Sequence, residues 1–139
     1  MKPSRIIIHH SLTKDSQTVS WGAIRQYHVD VCGWMDIGYH FGIELMRGEV
    51  ETVLGRFPDK MGAHCKGNNS DSLGVCFVGN FDLRAPSNSI WNKGVDLVKF
   101  LIREYDIKIV EGHCENNTAK SCPGKYFDLD KFRRECGVA

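Results

Sequence analysis

The segment HCENNTAKSC, residues 113–122, holds an imidazole, two thiols and an amine within ten positions. His113 and Cys122 are candidate ligands for zinc, which proteins bind through imidazole nitrogen and thiolate sulfur. A catalytic zinc takes three protein ligands and keeps a fourth position for water, so a third ligand must come from elsewhere. His9 is a candidate, because it ends the apolar run RIIIHH and side chains at strand ends commonly line clefts. Each histidine taken alone is better explained as a strand cap or a solvated side chain, and only the joint pattern favours a metal.

The six cysteines, an even number, raise the alternative that this segment is a disulfide loop. We expect reduced thiols instead, because the chain is longer than most disulfide scaffolds, shows no secretory signal and has ample core-forming residues. Cys76, in the apolar run LGVCFVGNF, is expected to be a buried core thiol. Cys65 and Cys114 each lie beside a histidine, and we expect a metal-binding role for neither.

The elements that must position these residues can be read from hydrophobic periodicity. Apolar runs and alternating patterns predict strands within residues 5–10, 38–46, 50–57, 73–81 and 108–114. Apolar residues at helical spacing predict helices within residues 13–33, 87–107 and 128–136. The middle strands are close enough in sequence to form hairpins. The pattern therefore predicts an α/β fold in which about three helices flank a central mixed β-sheet, with the zinc cleft at one face.

Length and composition exclude several classes of protein. We expect the 139 residues, of which 42% are hydrophobic and 25% charged, to fold as one domain spanning residues 1–139. A net charge of +1 argues against a nucleic-acid partner held by a basic surface. No run approaches the ~20 apolar residues of a membrane helix, and MKPSRIIIHHS lacks the apolar stretch of a signal peptide. We therefore expect a monomer that is made in the cytoplasm and has no membrane partner.

Four motifs, in order along the chain, resemble those of zinc-dependent N-acetylmuramoyl-L-alanine amidases. This fold is shared by amidase-type phage lysozymes and peptidoglycan-recognition proteins. The motifs are IIIHHS, GWMDIGYHFGI, GRFPDKMGAHCKGNNSDSLGVCFVGNF and GHCENNTAKSCPG, and together they cover nearly the whole chain. The resemblance implies Zn²⁺ as cofactor, with His9, His113 and Cys122 as its ligands. It also implies active-site roles for Tyr39 and Lys120.

Lys120 separates two branches of this family, since the phage amidases carry lysine at this position and the recognition proteins usually carry threonine. The resemblance therefore implies that the protein cleaves the amide bond between N-acetylmuramic acid and L-alanine in peptidoglycan. A phage or prophage endolysin released through a holin pore fits best. The alternatives are a cytoplasmic muropeptide-recycling amidase, a non-catalytic peptidoglycan-binding module and a cysteine hydrolase using Cys122 and His113. Some phage amidases of this type also bind a phage RNA polymerase, a surface property that the sequence does not reveal.

The residue types suit amide hydrolysis. Zinc lowers the pKa of a bound water molecule to roughly 7 and can polarise a carbonyl group. Lys120 could stabilise the tetrahedral oxyanion as a fixed cation. Tyr39 could hydrogen-bond the attacking water. Its reference pKa is near 10, so a direct general-base role would require a lowered pKa or a shared proton.

The cleft should also hold a ligand made of sugar and peptide. The resemblance makes His64 a cleft residue, with a solvated loop histidine as the alternative. Trp34, Arg56 and Asn69 fall in or near the cleft-forming segments. There they would offer an aromatic face, a cation for peptide carboxylates and a hydrogen-bonding amide. Ordinary packing or solvation is the alternative for these three.

Overall fold

The fold is a five-stranded mixed sheet with helices on both faces. A computed structural model describes residues 1–12 and 20–139. The strands are β1 (Arg5–His10), β2 (Phe41–Met46), β3 (Glu49–Leu54), β4 (Ser72–Phe77) and β5 (Ile109–Gly112). The helices are α1 (Trp21–Asp30), α2 (Asn88–Tyr105), α3 (His113–Asn116) and α4 (Leu129–Cys136). The sheet order is β3-β2-β4-β1-β5, and only the β2–β3 hairpin is antiparallel within it. The predicted α/β fold with a mixed sheet is confirmed.

The central strands are the apolar ones. Every residue of β4 and five of the six in β1 are buried, as expected for parallel strands covered on both faces. Successive residues of a strand face opposite sides of the sheet. Phe77 therefore packs among the aromatic side chains of the α2 and α4 side, including Phe132. Its neighbour Cys76 packs on the other side with Trp21 and Ile24 of α1.

The ends of several elements differ from the predicted ends. β2 begins at Phe41 instead of residue 38. β4 ends at Phe77 instead of residue 81, and the chain bends directly after it, at residues 78–79. There are four helices among the described residues instead of about three, since α3 is a single turn directly after β5. The first predicted helix is observed from Trp21, with Ser20 as its N-cap, and its residues 13–19 lie outside the described residues. Within the described ranges, no helix combines the length and apolar character needed to cross a bilayer.

Candidate metal centre and cleft

The sheet brings His9 and His113 together. β1 and β5 are parallel neighbours, with Ile8 opposite Gly112. The residues that follow these two, His9 and His113, therefore lie side by side at the carboxyl ends of the strands. The two imidazole rings lie 4.7 Å apart between centroids. His9 is 1% exposed, and His113, the first residue of α3, is half-buried. The fold thus places the end of β1 beside the segment 113–122 that contains the other two candidate ligands.

Cys122 enters the same cluster from the loop between α3 and α4. Its Sγ lies 3.6 Å from Nδ1 of His9 and accepts the backbone N–H of His10 at 3.3 Å. Asp82 anchors this loop, because its carboxylate accepts the hydroxyl of Ser121 at 2.7 Å and the backbone N–H of Lys125 at 3.0 Å. The sulfur is therefore held beside the first imidazole by contacts on both sides of Cys122.

These three side chains suit a metal ion. Among the described residues, His9, His113 and Cys122 form the one group of potential ligands, with donor atoms within 4.8 Å of one another. A tetrahedral zinc with Zn–N near 2.05 Å and Zn–S near 2.3 Å would place nitrogen and sulfur about 3.6 Å apart. The observed separation of His9 Nδ1 from Cys122 Sγ is 3.6 Å. The thiol of the neighbouring residue Cys114 is not part of this group.

The electrostatics keep the two imidazoles neutral. Burial lowers the pKa of His9 well below its usual value, and the imidazoles of His64 and His113 lower it further. Burial also lowers the pKa of His113, with a further contribution from the Lys120 ammonium. Burial raises the pKa of the Cys122 thiol to about 12. The thiol therefore keeps its proton at neutral pH unless a cation takes the place of that proton.

His64 lies behind His9. Nδ1 of His64 is 2.8 Å from Nε2 of His9, and Nε2 of His64 is 3.2 Å from the hydroxyl of Ser72. Burial is the main reason that the pKa of His64 falls to about 3. The ring borders the cleft and is 9% exposed, which rules out a solvated loop histidine. Both of its nitrogens already face protein atoms.

Tyr39 and Lys120 line the opening in front of the ligand group. The cavity has a volume of about 210 Å³ and is also lined by His9, His113 and Cys122. The Tyr39 ring lies 5.1 Å from that of His9 between centroids. Burial is the main reason that the pKa of Tyr39 lies well above its ordinary value, and the thiols of Cys76 and Cys122 raise it further. The phenol is therefore protonated at neutral pH, and its hydroxyl makes a side-chain hydrogen bond with Cys76.

Arg56 and Asn69 make hydrogen bonds to the backbone of the protein. The Arg56 guanidinium donates to the carbonyl oxygens of Ile37 and Met61, both at 2.8 Å. Oδ1 of Asn69 accepts the backbone N–H groups of His64 and Cys65, at 3.0 and 2.9 Å. Both side chains hold loops, and direct contact with a ligand stays a prediction for each of them. Neither belongs to the set of described residues that lines the cavity.

Trp34 is more accessible. Its indole is 36% exposed and packs against His28, with ring centroids 4.6 Å apart. The ring centroid of His28 in turn lies 5.7 Å from that of Tyr39. Trp34 therefore offers an aromatic face near the cleft, although it is not one of the described residues that line the cavity.

Ser72 and Asp82 support the candidate site, and neither was predicted from the sequence. Ser72 is fully buried at the start of β4, and its side chain faces the same side of the sheet as Gly74 and Cys76. A serine beginning an apolar strand is a detectable signal, but its partner His64 could be named only with the loop conformation known. Asp82 follows β4 in a turn, and nothing in its local sequence indicates the Ser121 and Lys125 contacts.

Most of the chain matches known proteins in sequence. The family model described as N-acetylmuramoyl-L-alanine amidase matches residues 1–125. The chain is 36% identical to the endolysin of Escherichia phage T7 over 132 residues, covering 91% of this chain and 83% of that protein.

Two solved structures show the same architecture. One is the N-acetylmuramoyl-L-alanine amidase LysC from Clostridium intestinale URNW, with a TM-score of 0.88 and 25% identity over 99% of this chain and 87% of that one. The other is bumblebee PGRP-SA, with a TM-score of 0.77 and 32% identity over 94% of this chain and 80% of that one. Sequence and fold thus agree over nearly the full length.

Proposed function

This chain belongs to the N-acetylmuramoyl-L-alanine amidase family, and we propose that it hydrolyses the bond between N-acetylmuramic acid and the L-alanine of the peptidoglycan stem peptide. One observation carries the proposal. Two imidazoles and one thiol converge within 4.8 Å and open into a cavity that Tyr39 and Lys120 also line. Such a cluster leaves one side free for a substrate, as a catalytic metal site requires.

Zn²⁺ is the proposed cofactor, with His9, His113 and Cys122 as its ligands. When bound, zinc polarises a carbonyl oxygen and lowers the pKa of a coordinated water molecule. The donor set supports this choice, because imidazole and thiolate are the ligands that zinc prefers. The 3.6 Å between His9 Nδ1 and Cys122 Sγ fits the expected ligand spacing.

Lys120 and Tyr39 would act on the substrate directly. Lys120 is exposed at the rim of the cavity, where its ammonium can approach the oxygen that becomes negative as the amide carbon turns tetrahedral. The Tyr39 hydroxyl, kept protonated by burial, would donate a hydrogen bond to the reacting carbonyl or water in place of its hydrogen bond with Cys76. The raised pKa argues against Tyr39 as the base that removes the first proton.

Trp34, near the cleft, would pack against a sugar or peptide face of the ligand. Arg56 and Asn69 would contribute indirectly, through the loops that their hydrogen bonds hold. His64 would support the proposed ligand His9 through a hydrogen bond and would not contact the substrate, since both of its ring nitrogens face protein atoms.

A phage endolysin is the biological role that fits best. The curated relatives include endolysins of four phages at 33–36% identity. The runner-up is a module that binds peptidoglycan without cutting it, since peptidoglycan-recognition proteins are also among the relatives at 29–31% identity. The complete ligand group of His9, His113 and Cys122 favours the hydrolase.

Digestion of purified peptidoglycan tests the proposal. We expect new L-alanine amino termini without new reducing sugar ends, loss of activity with a chelator, and recovery on adding zinc. A cysteine hydrolase would survive the chelator and lose activity on thiol alkylation. New reducing ends would identify a glycosidase, and binding without any product would identify a recognition module. Either result would overturn the amidase assignment.

A further inference from the structure

A line of hydrogen bonds runs from the back of His9 to a backbone carbonyl group. Nε2 of His9 lies 2.8 Å from Nδ1 of His64, and Nε2 of His64 lies 3.2 Å from Oγ of Ser72. Oγ of Ser72 lies 2.6 Å from the carbonyl oxygen of Asn68. We propose that His64 and Ser72 are positioning residues that hold His9 in the tautomer whose Nδ1 is free to bind the metal. The proposal rests on the proposed function only in naming zinc as that metal.

The carbonyl oxygen of Asn68 sets the direction of every bond in the line. A carbonyl can only accept, so the hydroxyl hydrogen of Ser72 points to Asn68 and its oxygen must accept from His64. Nε2 of neutral His64 therefore carries the ring hydrogen, and its Nδ1 is an acceptor. His9 must then donate from Nε2, which leaves the lone pair of its Nδ1 facing Cys122 Sγ at 3.6 Å.

Close packing prevents the His64 ring from turning out of this line. A Cβ added at Gly74 would lie 2.6 Å from Cγ of His64, and one added at Gly62 would lie 2.8 Å from Cδ2. The Asn69 side chain fixes the backbone of His64 at 3.0 Å. The ring thus sits between two residues without side chains, on an anchored backbone.

The wrong tautomer would block the metal. If His9 carried its hydrogen on Nδ1, that hydrogen would point at Cys122, and its Nε2 lone pair would face the lone pair of His64. Partners that orient a metal-binding histidine typically contribute about 10–100-fold to metal affinity or activity. The line of bonds therefore prepares the site before a metal arrives.

The variants that test this are His64→Leu, His64→Asn and Ser72→Ala. His64→Leu removes the acceptor for His9. His64→Asn keeps one, because the Oδ1 of asparagine stands as many bonds from Cβ as Nδ1 does in histidine. Ser72→Ala frees His64 to place its hydrogen on either nitrogen. Ser87→Ala, which removes the N-cap of α2 on another part of the molecule, controls for a general loss of stability.

Two measurements are made on each protein. Histidine ¹⁵N NMR of the metal-free protein reports which nitrogen of His9 carries hydrogen, and it needs neither zinc nor peptidoglycan. Competition with a chromogenic chelator gives the zinc dissociation constant. We expect the Nε2–H form in the wild type and in Ser87→Ala. We expect mixed tautomers and roughly 10–100-fold weaker zinc binding in His64→Leu and Ser72→Ala, with most of the loss restored in His64→Asn.

The inference is overturned if wild-type His9 carries hydrogen on Nδ1. It is equally overturned if His64→Leu and Ser72→Ala leave both the tautomer and the zinc affinity unchanged, or if His64→Asn is as impaired as His64→Leu. These results are independent of wall digestion. A protein with the expected tautomer and zinc affinity but no amidase product would refute the proposed function and leave the positioning line standing.

Discussion

Replacing Cys122 by serine tests the metal centre most directly. The side chain keeps its approximate shape, but a serine hydroxyl cannot supply the thiolate that zinc prefers. The control is Cys114→Ser, which makes the same change eight positions earlier, at a thiol outside the ligand group. The proposed zinc site exists only in the folded form, in which the three donors converge, so zinc affinity can be read from the melting temperature.

The size of the effect follows from binding linkage. Structural zinc sites with four ligands bind with about 10–16 kcal/mol, or roughly 3 kcal/mol per ligand, so losing one weakens binding about 100-fold or more. Free zinc at about 100 times the wild-type dissociation constant should stabilise the wild type by about 2.7 kcal/mol. The same concentration should stabilise a variant that binds zinc 100-fold more weakly by about 0.4 kcal/mol. At roughly 3–4 °C per kcal/mol for a domain of this size, the melting temperature rises by about 8–11 °C in the wild type and about 1–2 °C in Cys122→Ser.

Proton release gives a second reading of the same variant. Burial raises the pKa of the Cys122 thiol to about 12 and lowers the pKa of His9 and His113, so at neutral pH the thiol is the one candidate ligand of the three that loses a proton on binding zinc. Calorimetry in buffers of different ionisation enthalpy should find about one more proton released per zinc in the wild type and in Cys114→Ser than in Cys122→Ser. The reasoning is refuted if Cys122→Ser keeps the wild-type melting shift, or if Cys114→Ser loses as much of it.

Three further predictions concern catalysis, packing and pH. Tyr39→Phe should lower the amidase rate roughly 100-fold and leave the zinc-dependent melting shift unchanged, and Lys120→Met should do the same; a rate within twofold of wild type contradicts either role. Phe132→Ala, fully buried among aromatic rings, should lower the free energy of unfolding in urea by about 3–5 kcal/mol. The matched change at half-exposed Phe100 should cost less than about 1 kcal/mol; equal losses would refute the assigned core. Because the pKa of His64 is lowered to about 3, the unfolded chain binds a proton below pH 6.5 that the folded chain does not. The contribution of His64 to the free energy of unfolding of the metal-free protein should therefore be fully present above pH 6.5, and that free energy should fall by on the order of 1 kcal/mol per pH unit below it. A urea midpoint that stays constant from pH 7 to pH 5 would exclude this linkage.

Local sequence patterns predicted the elements that do not depend on distant partners. The apolar runs of β1 and β4 are strands because both of their faces are covered, and such runs are visible in the sequence. Helix α2 was visible through its regular spacing of buried residues. The single turn of α3 was missed, because four residues are too few to show helical periodicity.

The candidate ligands His9, His113 and Cys122 could be predicted for two reasons. Their residue types form a joint pattern that favours a metal, and the motifs that contain them resemble those of the amidase family. The environment of His64 could not be found in this way. Its partners His9 and Ser72 come from two different strands, and their meeting depends on the register of the sheet and the path of a loop. Arg56 illustrates the opposite difficulty. Its charge suggested a carboxylate ligand, but only the fold reveals that backbone carbonyl groups receive its hydrogen bonds.

The pairing of β1 with β5 also bears on when the protein becomes active during its synthesis. His9 and Cys122 are 113 positions apart, and the pairing of β5 with β1 places the late segment beside the early histidine. A nascent chain that has not yet emerged beyond β5 therefore carries one ligand and no centre. The candidate ligand group is therefore complete only after Cys122 has been synthesised and has left the ribosome.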